Sequence, residues 1–316
     1  MKITQHIQNA SSTLFSFEIL PPKKGEDIQS VFNNIEPLIE FKPPFIDVTY
    51  HREEQIIRET AEGLKTVSVR KRPGTVGICA ALMNRYGVDA VPHLICGGFS
   101  KDQTEDALID LDFLGIDNIL VLRGDPAKGE TQFTPHPNGH AHATELIEQI
   151  HNLNHGIYLD SEQTENAPTD FCMGVAAYPE KHFEANSLEE DLQYLKQKVD
   201  LGAEYIVTQL FFNNQKYFDF VKKCREIGIN VPIIPGIKPI AVANHLKLLP
   251  EIFFVDIPEI LRKEVQKCKN NAEVRKVGEE WAIQQCKELK AFGVPVLHFY
   301  SMGKADNIYN IAKAIF

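Results

Sequence analysis

Ser16-Phe17-Glu18-Ile19-Leu20-Pro21-Pro22 is a short apolar run with one carboxylate inside it and two prolines at its end. Proline cannot donate to a sheet ladder, so a strand must stop there. Phe15, Phe17 and Ile19 alternate with Ser16 and Glu18, which is the period of a strand with two unlike faces. A carboxylate in a strand that reads as buried costs free energy unless something uses it. The stretch therefore poses two questions: what covers its aromatic face, and what Glu18 is for.

Working outward, apolar β-rich runs bounded by turn residues fall roughly at 13–19, 45–50, 91–96, 118–123, 171–178, 204–209, 231–236 and 295–300. Helical periodicity lies between them. The clearest helix spans 187–201, where Ser187-Leu188-Glu189-Glu190 has the form of a capping box and Leu201-Gly202 marks the stop. Segments 25–41, 53–69, 101–114, 140–153, 214–227, 241–250, 271–291 and about 303–315 also read as helical. Strand alternating with helix eight times, without a change of composition, predicts an α/β fold: a closed (β/α)8 TIM barrel over residues 1–316 as a single domain. The alternative is an open doubly wound sheet, whose G-x-G-x-x-G fingerprint is missing after the first strand. Two connections are longer than a barrel needs. Residues 70–90 include Val76–Ala81, read as an extra turn or helix extension; polar residues 155–170 read as a surface excursion before the fifth strand.

Composition narrows the function. The chain of 316 residues carries a formal net charge of -10, and Arg70-Lys71-Arg72 is its densest basic spot, which argues against binding nucleic acid through its phosphates. The six cysteines are scattered and form no C-x-x-C pair, a pattern of reduced thiols in a cytoplasmic protein with no metal site. No apolar signal core opens the chain and no run approaches a membrane span.

In barrels of this kind the active site lies at the C-terminal ends of the strands. Those ends carry Glu18; Asp47, Thr49 and Tyr50; His93 and Cys96; Arg123-Gly124-Asp125; Tyr178 and His182; Thr208-Gln209; and His298 and Tyr300. By strand parity Ser16 and Glu18 face the axis, as do Asp47 with Thr49 and Val207 with Gln209. Polar side chains from several strands thus converge on one mouth. Each also has a structural reading: Glu18 as ion-pair partner of Arg123, Asp125 as a turn residue before proline, His93 as a core histidine, Lys238 as a solvated loop lysine.

The stretches FSFEILPP (15–22), IDVTY (46–50), PHLIC (92–96), NILVLRGDP (118–126), VAAYPEKH (175–182), DLQYLKQKVDLGAEYIVTQLFF (191–212), IIPGIKPI (233–240) and LHFYSMGKA (297–305) run in order through nearly the whole chain. Together they resemble the methylenetetrahydrofolate reductase family, in its bacterial type with a catalytic barrel only. The resemblance implies an FAD-dependent enzyme that takes electrons from NADH or NADPH and reduces 5,10-methylenetetrahydrofolate to 5-methyltetrahydrofolate in a ping-pong scheme. It further implies a cytoplasmic homo-oligomer without nucleic-acid or membrane partners. Position by position, Glu18 matches the family's general acid and Asp125 a carboxylate near flavin and folate. Thr49 and Gln209 match polar residues that contact substrate, with Thr49 also beside the cofactor. Tyr50, His93, Arg123, Gly124, Tyr178, His182, Ala185, Asp191 and Lys198 match FAD contacts. His142-Ala143 stands where the family has an aromatic-Ala pair, and Tyr194 and Gln197 stand where it often has Asn and Arg. Lys304 replaces an Arg that meets the folate glutamate in some members, and His245 a Gln near the folate.

A general acid is needed because opening the ring of the folate substrate requires a proton on its N10, and a desolvated carboxyl group is a suitable donor. Two rival functions remain at this point. One is a Schiff-base aldolase or lyase with Lys238 as nucleophile. The other is a flavin- or folate-binding barrel without catalysis.

Overall fold

The computed structural model describes residues 1–60, 63–126, 130, 132–160, 166–301 and 305–316. Its strands are β1 (Leu14–Ile19), β2 (Phe45–Val48), β3 (Glu54–Thr60), β4 (Gly63–Val69), β5 (Asp89–Ile95), β6 (Asn118–Leu122), β7 (Cys172–Ala177), β8 (Tyr205–Thr208), β9 (Ile233–Ile234), β10 (Gly236–Ile237) and β11 (Val296–Tyr300). Its helices are α1 (Ile3–Asn9), α2 (Gln29–Ile35, continued by a 3-10 turn Glu36–Phe41), α3 (Thr75–Tyr86), α4 (Lys101–Phe113), α5 (Ala143–Leu153), α6 (Leu188–Asp200), α7 (Asn214–Glu226), α8 (His245–Phe253), α9 (Glu259–Lys267), α10 (Asn271–Phe292) and α11 (Asp306–Ile315).

Nine strands form one parallel sheet in the order β10-β11-β1-β2-β5-β6-β7-β8-β9. Its two ends, β9 and β10, are halves of one stave. Ile233 and Ile234 pair with β8, Gly236 and Ile237 pair with β11, and only Pro235 stands between them. Pro235 lacks an N–H, which interrupts the ladder, but its carbonyl still accepts from His298 N at 3.2 Å. The eight staves are the eight apolar runs of the sequence, now arranged as a barrel.

The alternation seen in the first stretch decides what faces where. Phe15, Phe17, Ile19, Ile46 and Val48 point outward into the layer shared with the helices. The inward set differs along the axis. Phe45, Val91, Leu120, Cys172, Tyr205 and Val296 fill the N-terminal half, where Ile3 of α1 packs against them as a plug. α1 is held there by Asn118, whose Oδ1 accepts from Ile3 N at 2.7 Å and whose Nδ2 donates to the Met1 carbonyl at 2.9 Å. Neither this helix nor α9 is among the helices expected from the sequence. The apolar floor leaves the C-terminal half of the lumen to polar groups.

One helix predicted from the sequence is absent. Within the stretch 53–69, Glu54–Thr60 and Gly63–Val69 form the antiparallel hairpin β3–β4, paired from Glu54↔Val69 to Thr60↔Gly63. Charged residues interleaved with Ile56 and Ile57 imitate a helix face. Thr66, Val67 and Val69, however, are β-branched, and Gly63 takes φ +107°, which a helix cannot hold. The helix that follows β2 in the βα alternation is therefore α3, inside the stretch read as a long connection. The capping box of α6 is also modified. Ser187 Oγ accepts from Glu190 N at 3.2 Å, while the Glu190 carboxylate takes Asn186 N at 2.7 Å instead of reaching back to Ser187. The six cysteines are unpaired, and among the described residues no helix is long and apolar enough to cross a membrane.

Tyr205 fills the floor because Gly174, its partner on β7, has no side chain. A Cβ there would lie 2.1 Å from the Tyr205 ring, whereas one at Gly77 in α3 would meet nothing within 4 Å. Gly174→Ala is expected to cost about 1–3 kcal/mol of unfolding free energy. Gly77→Ala should be neutral or stabilising by about 0.5–1 kcal/mol. Denaturant melts of both variants check this; equal effects would contradict the packing described.

Candidate active site

Above the apolar floor the axis-facing residues become polar. Ser16 on β1, Asp47 on β2, His93 on β5 and His298 on β11 come first, and Glu18 lies one layer higher, in register with Asp47 on one side and Tyr300 on the other. Ser16 Oγ and His298 Nδ1 share a hydrogen bond of 2.9 Å. His93 Nε2 lies 3.4 Å from Asp47 Oδ2 and 4.0 Å from Glu18 Oε2. Glu18, His93, His298 and Tyr300 of these layers line a cavity of about 1180 Å³ at the C-terminal mouth.

Glu18 carries the clearest electrostatic signature. Burial pushes its carboxyl up from an ordinary value of 4.5 to about 7; the charge of Asp47 adds to the effect, and His93 and Lys238 oppose it. Arg123 is not its partner. That guanidinium bonds Glu184 at 2.6 Å and lies 5.1 Å over the Phe133 ring. Glu18 is thus a carboxyl group poised near neutrality and open to the cavity, with its own carbonyl fixed by Ser301 Oγ at 2.7 Å.

Most residues singled out in the sequence meet on this cavity. Glu18, Thr49, Tyr50, His93, Arg123, Gly124, Asp125, His142, Ala143, Tyr178, His182, Ala185, Asp191, Lys198 and Gln209 all line it. Thr49 Oγ1 donates to the Ile19 carbonyl at 3.2 Å, and Tyr50 packs on Phe99 at 5.1 Å between ring centres. Asp125 is exposed at the rim, where its charge helps burial hold the Tyr178 hydroxyl protonated. Gln209 Oε1 accepts from Leu210 N at 2.9 Å, which leaves its amide nitrogen for a ligand.

The loop after β7 shapes one wall. Lys181 adopts φ +100°, rare for a side chain, and its ammonium holds the carbonyls of His182 and Ala185. His182 N donates to Asp191 Oδ2 at 2.8 Å, and the His182 ring stands edge-on to Tyr178 at 4.7 Å. Lys198 reaches this wall from α6. Its Nζ donates to the Ala176 carbonyl at 3.3 Å, and burial lowers its pKa while Asp191 opposes. A half-buried lysine bonded to a carbonyl in a large cavity is suited to an anion such as a diphosphate.

Other residues lie elsewhere. His245 is not on the cavity wall; it opens α8, and its Nδ1 accepts from Ala241 N at 3.2 Å. Lys304 lies outside the described residues. Lys238 is buried and its pKa falls to about 8, but its Nζ donates to the Tyr300 carbonyl at 3.0 Å and it does not line the cavity. Sequence reasoning missed Lys23, Arg52 and Arg72, which line the rim near the β3–β4 hairpin. Arg52 and Arg72 flank the stretch read as a helix, and Lys23 follows the prolines that end β1. Among the described residues no group of three or more metal-ligating side chains assembles.

The family model described as methylenetetrahydrofolate reductase matches residues 2–315. Methylenetetrahydrofolate reductase (NADH) 1 of Arabidopsis thaliana is 33% identical over 315 residues, which cover 96% of this chain and 48% of that protein. A probable methylenetetrahydrofolate reductase (NADPH) of Caenorhabditis elegans is 32% identical over 303 residues, 95% of this chain and 42% of that protein. The 5,10-methylenetetrahydrofolate reductase of Salmonella typhimurium is 32% identical over 303 residues, 95% of this chain and 90% of that protein. The chain thus spans about half the length of the plant and animal relatives and nine-tenths of the bacterial one. A solved structure from Clostridium thermocellum, an uncharacterized protein that binds two copies of 5-methyl-5,6,7,8-tetrahydrofolic acid, has the same fold: TM-score 0.58 at 15% identity, covering 98% of this chain and 97% of that one.

The near-neutral Glu18 has a cost in stability whose sign is fixed. Below its ordinary value of 4.5 folded and unfolded chains both hold the proton; as pH rises through about 7 the folded chain must bury a charge, and the stability is lost. Glu18→Gln should therefore gain thermal stability relative to the unaltered protein as pH rises from about 5 to about 8. Melting curves at both pH values test it; parallel changes in the two proteins would place Glu18 outside this account.

Proposed function

Since the chain belongs to the methylenetetrahydrofolate reductase family, we propose that residues 1–316 act as one catalytic unit that reduces 5,10-methylenetetrahydrofolate to 5-methyltetrahydrofolate through FAD. The observation that carries the reading is a carboxyl group poised at about 7 on the floor of a cavity of about 1180 Å³. The size of the cavity and the half-buried cation of Lys198 on its wall fit a dinucleotide with a charged diphosphate. When bound, the flavin supplies two-electron chemistry, reduced by NADH or NADPH and then oxidised by the folate in the same cavity.

The residues that would hold the flavin are Thr49, Tyr50, His93, Arg123, Gly124, His142, Ala143, Tyr178, His182, Ala185, Asp191 and Lys198. Lys198 would meet the diphosphate. Tyr194 and Gln197, also on the cavity wall, leave Lys198 with more of that charge than an arginine neighbour would. Gln209 and Asp125, on the cavity wall, are assigned to the folate together with Lys304; His245, which lies off that wall, is not. Glu18 delivers a proton to N10 of the substrate, which opens the five-membered ring and leaves an iminium cation at N5. Asp125 sets a negative charge at the rim, where it stabilises that cation. Burial at the base of the cavity desolvates Glu18 and leaves a large share of it protonated at neutral pH. The same reading has the protein working in the cytoplasm as a homo-oligomer.

The Schiff-base alternative needs the Lys238 amine in the cavity, and that amine is turned to the Tyr300 carbonyl. A carrier without catalysis would be yellow but would not return electrons to the folate.

Purified protein should retain or rebind FAD; failure of refolded protein to do either contradicts the proposal. Glu18→Gln should still pass electrons from NADH to a quinone while folate reduction falls by about 10²-fold or more. Equal loss of both half-reactions would make Glu18 structural. Asp125→Asn should shift the flavin reduction potential and slow folate turnover, and a variant unchanged in both would remove Asp125 from the mechanism.

A further inference from the structure

Below Glu18 lies a buried carboxylate that the reaction above does not use. Asp47 is 1% exposed, and neither of its carboxylate oxygens has a hydrogen-bond partner among the described residues. An isolated buried charge is costly, so the nearest group able to offer it an N–H matters. That group is His93, with Nε2 3.4 Å from Asp47 Oδ2. The same nitrogen is 4.0 Å from Glu18 Oε2 and likewise makes no aligned hydrogen bond. One ring nitrogen therefore stands between two carboxylates, one sealed in the lumen and one open to the cavity.

We propose that Asp47 is a positioning residue for Glu18: it claims the His93 N–H that would otherwise pair with Glu18, and so leaves Glu18 to carry its own proton. The inference rests on the reading of Glu18 as the acid. Asp47 wins this competition on distance and on burial, because water cannot solvate it in place of the imidazole. The other groups facing the pair are committed elsewhere. His298 Nδ1 is 4.0 Å from Asp47 Oδ1 but shares a 2.9 Å hydrogen bond with Ser16. Lys238 faces Glu18 but donates to the Tyr300 carbonyl, and the Tyr300 hydroxyl donates to the Thr208 carbonyl at 2.6 Å. The Tyr205 hydroxyl, which faces Asp47 from below, donates to the Ile119 carbonyl at 3.4 Å. Cys79 faces Asp47 as a neutral thiol held protonated by burial, and His51 faces His93 from the rim. The Asp47 charge itself also disfavours a second charge on Glu18.

Two substitutions should act in opposite directions. Asp47→Asn frees the imidazole to pair with Glu18, so Glu18 gives up its proton at lower pH. His93→Gln removes the shared imidazole, so Glu18 keeps its proton at least as long as in the unaltered protein. The direct readout is the carbon-13 signal of the Glu18 side-chain carboxyl in glutamate-labelled protein, assigned as the resonance missing from Glu18→Gln and followed through a pH titration. The expected result is a midpoint lowered by about one unit or more in Asp47→Asn and restored in Asp47→Asn with His93→Gln. The alkaline limb of the folate half-reaction should move with it. A midpoint unchanged or raised in Asp47→Asn overturns the proposal. If that variant does not fold, a midpoint lowered in His93→Gln overturns it. Undiminished folate reduction in Glu18→Gln would instead overturn the role of Glu18, while the titration still decides what Asp47 does.

Discussion

The register of β1 between its two neighbours is the constraint on which the site depends. Glu18 pairs with Asp47 and Tyr300, and Ser16 pairs with His298. A slip of one residue would turn Phe15 and Phe17 into the lumen and press Glu18 among the outer aromatic rings. Those rings oppose it. Phe15 lies 5.5 Å from each of Phe41, Phe299 and Phe316 and 5.7 Å from Phe17, a cluster that buries the aromatic face against the C-terminal helix. The packing outside the barrel thus holds a carboxyl group inside it.

Burial then does the electrostatic work. The apolar floor under Ile3 and Tyr205 closes the lower lumen and leaves Glu18 one exit, the cavity at the mouth. Two carboxylates end in different settings: Glu18 desolvated and near neutrality, Asp125 exposed at the rim. Environments that separate two acids in this way divide proton donation from charge stabilisation. The arrangement is not optimal for stability, since a poised buried acid and the left-handed turn at Lys181 both cost free energy.

Much of this was legible in the chain because it rests on short-range rules. All eight staves follow from apolar runs ended by turn residues, and strand parity places Ser16, Glu18, Asp47 and Gln209 on the axis. The resemblance brings residues as distant as Thr49 and Lys198 to one cavity, where they do meet. What failed depended on partners that pattern does not reveal. Residues 53–69 alternate charge and aliphatic groups in a way compatible with either a helix or a hairpin, and Gly63 decides between them. The choice of Glu184 by Arg123, the turning of Lys238 toward Tyr300 and the placement of His245 off the wall are all tertiary. So is the crowding of one His93 nitrogen between two carboxylates, since those three residues come from three strands.

The central claim is that Glu18 is a neutral acid at working pH. It is tested most directly by anaerobic mixing of the reduced, flavin-loaded protein with 5,10-methylenetetrahydrofolate across a pH series. The rate of flavin reoxidation should be flat at low pH and fall about tenfold per unit above a midpoint near 7. A rate independent of pH from about 6 to about 9, with substrate saturating throughout, would contradict it.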